Sequence, residues 1–169
     1  FLQGRKHTVA GFENCAPERA VTLEIPENLD AVIVDPRRLR EVLDNLLDNA
    51  LKYTPSESSI WIECSQTTKD LKPVARITVR DDGPGIPDGQ LERIFEPFHQ
   101  SSEPATYKAG GVGLGLAICR HIMDAHKGSL TAEPVSAGHG ITFFITLPVS
   151  VANGEEEPID NPKELSTST

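Results

Sequence analysis

Residues 35–54 read DPRRLREVLDNLLDNALKYT, and this stretch decides the fold. Leu39, Val42, Leu43, Leu46, Leu47, Ala50 and Leu51 recur at helical spacing, so one face is apolar and seeks burial. Asp35 is placed to accept from the free amides of the first turn, and Pro36 follows where a missing N–H costs nothing. Asn45, Asn49 and Lys52 fall on one shoulder of the apolar arc at about 100° per residue. Asn45 and Asn49 lie one above the other. Amides in mid-helix are poor helix formers. Either they are solvated asparagines or they are paired oxygen ligands at the mouth of a cleft.

The rest of the chain narrows that choice. Its 169 residues suit one domain with a sizeable core. No run of 18 or more apolar residues is present. The first residue is Phe1, which reads as a piece of a longer protein whose parent could be membrane-anchored, while this part has no direct membrane contact. A formal net charge of -9 argues against a nucleic-acid surface. The three cysteines, Cys15, Cys64 and Cys119, match no metal spacing or disulfide framework, which points to a reducing, cytoplasmic setting.

In chain order, Ala20–Ile25 alternates as a strand and ends at Pro26, and Ala31–Val34 is a short apolar lead-in to the helix. Pro55–Ser58 is turn chemistry. Ser59–Ser65 reads as a half-buried strand with Ile60, Ile62 and Cys64 inward. Lys69–Pro73 is a polar link to a second strand, Val74–Arg80, with Ile77 and Val79 inward. The pair reads as an antiparallel hairpin. That strand runs into Asp81-Asp82-Gly83-Pro84-Gly85-Ile86-Pro87, where glycines let backbone approach a ligand closely. Asp81 could accept from an exocyclic amine while Ile86 supplies an apolar wall.

Gln90–Phe95 reads as a short helix followed by Phe95-Glu96-Pro97-Phe98. Residues 99–110 lack periodicity, as a lid would. Gly110-Gly111-Val112-Gly113-Leu114-Gly115-Leu116 then opens a helix to about Lys127, with Gly128 expected as its C′ residue. A glycine-rich turn feeding a helix N-terminus offers amides and a positive dipole end to phosphate. Leu130–Val135 and Ile141–Leu147 read as a closing hairpin. Residues 152–169 carry five acids (Glu155, Glu156, Glu157, Asp160, Glu164) against Lys163, a net -4, and read as a disordered tail. The division expected is an N-terminal linker remnant at 1–19, a domain at 20–151 and a tail at 152–169.

Together, in this order, the four stretches resemble the ATP-binding catalytic domain of sensor histidine kinases. That domain belongs to the Bergerat-fold superfamily, with gyrase, heat-shock 90 and mismatch-repair ATPases. NLLDNALKYT at 45–54 resembles the N box, DDGPGI at 81–86 the G1 box, FEPF at 95–98 the F box and GGVGLGLAI at 110–118 the G2 box. The resemblance implies a two-layer α/β (α+β) sandwich: a mixed, largely antiparallel sheet on about three helices, with a flexible lid over the nucleotide. It implies that Asn49 coordinates Mg²⁺ and that Asn45 supports the site, amide oxygen being a suitable hard ligand. Lys52 would reach a phosphate and Tyr53 would sit by the nucleoside. Asp81 would accept from adenine, with Gly83, Gly85 and Ile86 around it. Phe95 and Phe98 would anchor the lid. Gly111, Val112, Gly113, Leu114, Gly115 and Leu116 would bring lid and helix backbone to the phosphates, Val112 standing where the family often has Thr. Lys108, Arg93 and His99 are further phosphate candidates by position.

The hydrolysing relatives carry a glutamate where Asn45 stands, and a neutral amide is no general base. Phosphoryl transfer from ATP to a histidine is therefore the expected chemistry, the domain supplying positioning and charge neutralisation. Thr8, Gln100, Ile122, Lys127 and Gly140 follow the five histidines, and none supplies the acid expected beside an acceptor. The acceptor is expected on a separate dimerisation domain, with a response-regulator receiver as the next partner. The alternatives are a degenerate nucleotide-sensing or partner-docking module, or a hydrolysing ATPase. His126 is expected to cap a helix rather than to react.

Overall fold

The computed structural model describes residues 20–87, 89–99, 112–135 and 139–150. The expected linker at 1–19 and tail at 152–169 lie outside them. Five strands form one sheet in the order β1-β2-β3-β5-β4, where β1 is Val21–Glu24, β2 Ile60–Lys69, β3 Lys72–Asp81, β4 Ser129–Pro134 and β5 Ile141–Pro148. β1 pairs parallel with β2. Every other pairing is antiparallel. Two helices, α1 (Pro36–Tyr53) and α2 (Gly115–Ala125), pack against each other and on one sheet face. The third helix expected at Gln90–Phe95 is only a 3₁₀ turn, Arg93–Phe95. No described helix is long and apolar enough to cross a membrane.

The start of α1 follows from its sequence. Asp35 Oδ1 accepts from the Arg37 amide at 2.8 Å and the Arg38 amide at 3.4 Å. The Arg37 amide, foremost among its neighbours, holds the Asp35 carboxyl below the usual carboxylate range. The apolar arc is buried as its spacing requires. Val42, Leu46, Leu47 and Ala50 meet Ile60, Ile62 and Val79 of the first hairpin and Phe143, Ile145 and Leu147 of β5. Cys119, Ile122 and Met123 of α2 complete this layer. On the opposite face Arg80 stacks on Trp61 at 4.7 Å and Arg76 on Phe144 at 5.3 Å.

Two turns depart from expectation. The β2–β3 link is a two-residue turn, Asp70-Leu71, because the ladder extends to Lys69 opposite Lys72. Both turn residues have positive φ, 49° and 64°. These are the signs of a type I′ turn, normally marked by Asn-Gly. At the end of α2 the left-handed residue is Lys127, φ 56°, not Gly128. The Gly128 amide donates to Met123 O at 2.9 Å and the Lys127 amide to Asp124 O at 3.0 Å, a complete Schellman motif. Gly128 is small for another reason: a Cβ there would overlap the Thr146 carbonyl. His126 is the C-cap, as expected. Its Nδ1 lies 2.7 Å from Ile122 O, and its Nε2 accepts from the Asp35 amide at 3.1 Å. A carbonyl can only accept and an amide only donate, so Nδ1 carries the proton and the ring is neutral. One imidazole thus ties the end of α2 to the cap of α1.

Candidate functional site

Asp81 ends β3 opposite Ile60 and is buried. Its Oδ1 accepts from the Gly83 amide at 2.9 Å. Its neighbour Asp82 faces away and accepts from the Ser59 amide at 2.8 Å, fastening the loop to the start of β2. The two acids therefore have separate roles. Gly83 rests against Thr54, and a Cβ would overlap the Thr54 methyl. Thr54 Oγ1 in turn donates to Ala50 O at 2.6 Å. The DxGxG loop is thereby seated on the last turn of α1, one residue beyond Tyr53. Gly85 has φ 78°, where a side chain would be strained, and Ile86 packs on the core.

The Asn-bearing shoulder of α1 faces the start of α2. Asn45 Nδ2 donates to Glu41 O at 2.9 Å. That fixes its oxygen over Gly115, where a Cβ would lie 2.8 Å away. Asn49 is half-buried and has no hydrogen-bond partner among the described residues. Lys52 is exposed, 3.7 Å from Asp48, and Tyr53 is also exposed. Leu114 precedes α2 as its N-cap and makes no side-chain cap, so another acceptor can use the first-turn amides. Leu116 packs against the core.

The stretch expected to form the lid leaves and rejoins the domain at one point. Phe98 N–H donates to Gly113 O at 2.9 Å. Gly113 has φ 74°, and a Cβ there would lie 2.7 Å from His99 O. Phe95 is buried, edge-on to Phe143 with ring centroids 6.4 Å apart, and covered by the Arg120 guanidinium at 4.1 Å. The Phe98 ring is 70% exposed, so that residue holds the junction by its backbone rather than by burial of its ring. Val112 is exposed as well. Arg93 lies 3.7 Å from Glu96, and His99 Nε2 is buried with no partner among the described residues. Lys108 and Gly111 lie outside the described residues.

Three further residues belong to this arrangement. Gly140, φ 85°, sits so close to the Asp81 carbonyl that a Cβ would overlap it. Thr54 seats Gly83. Arg120 clamps Phe95 and lies 3.4 Å from Glu92. Thr54 closes the stretch that resembles the N box and Gly140 is a glycine just before a strand, whereas nothing in the sequence singled out Arg120.

Residues 34–151 match the family described as histidine kinase-, DNA gyrase B-, and HSP90-like ATPase. The chain belongs to this ATPase family. Among its relatives, the adaptive-response sensory kinase SasA of Synechococcus sp. (strain JA-2-3B'a(2-13)) is 43% identical over 126 residues, which are 75% of this chain and 32% of SasA. The chain thus spans about a third of that relative's length. The nucleotide-free catalytic domain of histidine kinase ThkA superposes with a TM-score of 0.73 at 28% identity, covering 88% of this chain and 93% of that one. ThkA has also been solved in complex with the response regulator protein TrrA (TM-score 0.68, 27% identity, 86% and 39% covered). Full-length ShkA in complex with AMPPNP gives 0.71 at 27% identity, covering 90% and 31%. The two-layer sandwich expected from the sequence is the fold of these histidine kinase domains, and ATP binding is the property that this ATPase family shares.

Proposed function

We propose that the chain is the catalytic ATP-binding domain of a two-component sensor histidine kinase. In this reading it holds Mg·ATP while the γ-phosphate passes to a histidine on a separate dimerisation domain, for relay to a response-regulator aspartate. The observation that carries the reading is the run of contacts joining Asp81, Gly83 and Thr54 to one end of α1 and Asn45 to Gly115 at the start of α2. Asn49 lies on α1 between them. Asp81 is the buried acceptor for the adenine amine, and the uncapped start of α2 faces phosphate.

The residues present fit Mg²⁺. Among the described residues no group of three His, Cys, Asp or Glu could cage a metal, whereas Mg²⁺ usually takes one or two protein oxygens and completes its shell with phosphate and water. Asn49, whose amide has no partner among the described residues, is the residue to hold it, and Asn45 presents an oriented oxygen beside it. The ion would supply charge neutralisation at the phosphates. Lys52, Tyr53, Lys108 and the 111–116 backbone are assigned to nucleotide contact in the same reading.

Transfer is favoured over hydrolysis by a specific geometry. Glu41, one turn before Asn45, lies 2.8 Å from Arg38, while Asp44 and Asp48 lie 3.5 Å from Arg40 and 3.7 Å from Lys52, so each nearby acid of the helix is in an ion pair. With Asn45 neutral, no carboxylate stands ready to deprotonate water at that position.

Calorimetry with Mg·ATP tests the assignment. Asp81→Asn should weaken binding by about 1–3 kcal/mol, because a buried acceptor becomes partly a donor. Asn49→Ala should remove the Mg²⁺ dependence. Mixing the chain with a separately made acceptor domain and labelled ATP should yield acid-labile phosphate on the acceptor alone. Unchanged affinity in both variants would overturn the site. Binding without transfer would leave a nucleotide-sensing module.

A further inference from the structure

At the end of the sheet away from Asp81, a cavity of about 340 Å³ is lined by Lys69, Lys72, Lys127, Val74, Thr146 and Pro148, among others. Three lysines converge there on a chain whose net charge is -9. Asp70 is the acid in the lining. Lys69 Nζ reaches Ser129 Oγ at 3.2 Å, and Ser129 Oγ is 2.5 Å from Thr146 Oγ1. Hydroxyls and one ammonium are thus already organised. Among the described residues none of the three lysines has an ion pair, whereas Arg38, Arg40, Lys52, Arg93 and Arg120 each have one. The cavity suits a ligand carrying several carboxylates close together.

The chain carries such a ligand. Pro148 forms part of the cavity wall. The Val149 amide donates to the carbonyl of Pro73, another wall residue, at 3.3 Å, and the Ser150 amide to Ala31 O at 2.8 Å. The polypeptide therefore leaves the sheet beside the lysines. Glu155, Glu156 and Glu157 begin five residues beyond Ser150. At about 3.3–3.6 Å per residue those five residues span roughly 17 Å, enough to return to a site the chain has just left. Tethering over so short a length raises the effective concentration to roughly the millimolar range, favouring this segment over a free acidic partner. Three lysines and three consecutive glutamates are complementary in charge and number.

We propose that this lysine-lined cavity docks the chain's own Glu155–Glu157 segment, which covers that end of the helix-free sheet face. The proposal is independent of the nucleotide site.

NMR of the full chain tests it. Wild type is compared with the Glu155→Gln, Glu156→Gln, Glu157→Gln triple variant, none of whose positions is among the core residues that run from Val42 to Leu147. On the order of 0.01 M salt the Debye length is about 30 Å. There the backbone and ammonium signals of Lys69, Lys72 and Lys127, and the amide of Ser129, should differ between the two chains. On the order of 1 M salt it is about 3 Å, and the difference should vanish. Lys69→Gln, Lys72→Gln, Lys127→Gln should move the Glu155–Glu157 signals to their high-salt positions while the Leu46 and Ile145 signals stay put. Coincident spectra at low salt would overturn the proposal and leave the lysines to an acidic surface on another protein. Differences that scale with protein concentration would also overturn it, by assigning the docking to a second copy.

Discussion

Gly83→Ala is the substitution on which the geometry of the site is most exposed to test. A Cβ at this position would overlap Thr54 Cγ2 and lie 3.0 Å from both Thr54 Cβ and Asp81 Oδ1. Carbon contacts are optimal near 3.5–4.0 Å, so something must move. Thr54 cannot rotate freely: it is buried, and its Oγ1 donates to Ala50 O at 2.6 Å. Asp81 is held by the Gly83 amide itself. Overpacking of this kind costs about 1–3 kcal/mol. Thr54→Ser removes the clashing methyl and keeps the hydroxyl. Alone it should cost about 0.5–1.5 kcal/mol, as for loss of one buried methyl. If the contact is as described, the double variant is less destabilised than the sum of the singles by about 1 kcal/mol or more, a coupling well above the scatter for independent sites. Urea unfolding of the four proteins measures it, with Mg·ATP affinity as a second readout because the displaced atoms include the Asp81 carboxylate. Strict additivity would refute the claim that the loop is seated on Thr54. Gly83→Ala with wild-type stability and affinity would refute the close approach itself.

Leu71→Gly should stabilise the domain by about 1 kcal/mol, since a left-handed conformation is costly for a residue with Cβ and Leu71 is almost wholly exposed. A lower urea midpoint would count against the I′ turn. Burial, foremost, and then the Glu41 charge push the Cys119 thiol up from 9.0 to about 12. The unfolded thiol thus loses its proton first, and Cys119 should lower stability progressively as pH rises from 9 toward 12, by up to about 1.4 kcal/mol per unit. Cys119→Ala should flatten that slope in unfolding measured from pH 8.5 to 10, and an equal slope would place the thiol elsewhere. His126→Leu strands the Asp35 amide and the Ile122 carbonyl, at an expected cost of about 1–2 kcal/mol. The wild-type ring should show the nitrogen shifts of an imidazole protonated at Nδ1, and a ring protonated at Nε2 would contradict the tie between α1 and α2.

What the sequence disclosed and what it withheld follow one physical line. Helix α1 was legible to the residue because its cap, its proline and its apolar period are local properties of the chain. The strands were legible as alternation. Their ends were not: β2 runs on to Lys69 and β3 starts at Lys72 because a turn of Asp70-Leu71 accepts positive φ without glycine, and local composition argues for a longer polar link. The glycines show the same limit from the other side. Gly128 was read as a cap on sequence position, yet Lys127 takes the left-handed conformation and Gly128 is small because Thr146 is close. Phe98 was expected from the resemblance to anchor a lid, and its ring is exposed while its amide donates to Gly113 O. These reasons are tertiary, which explains why four weak motifs together resemble one family so specifically. The G1 glycine Gly83 abuts Thr54 at the end of the N box, Gly115 of the G2 box abuts Asn45, and Gly113 abuts Phe98 of the F box and His99 just after it. Each glycine is small because of a residue in another motif. The motifs are one set of contacts written in four places, so enlarging any one of these glycines should disturb a neighbouring motif.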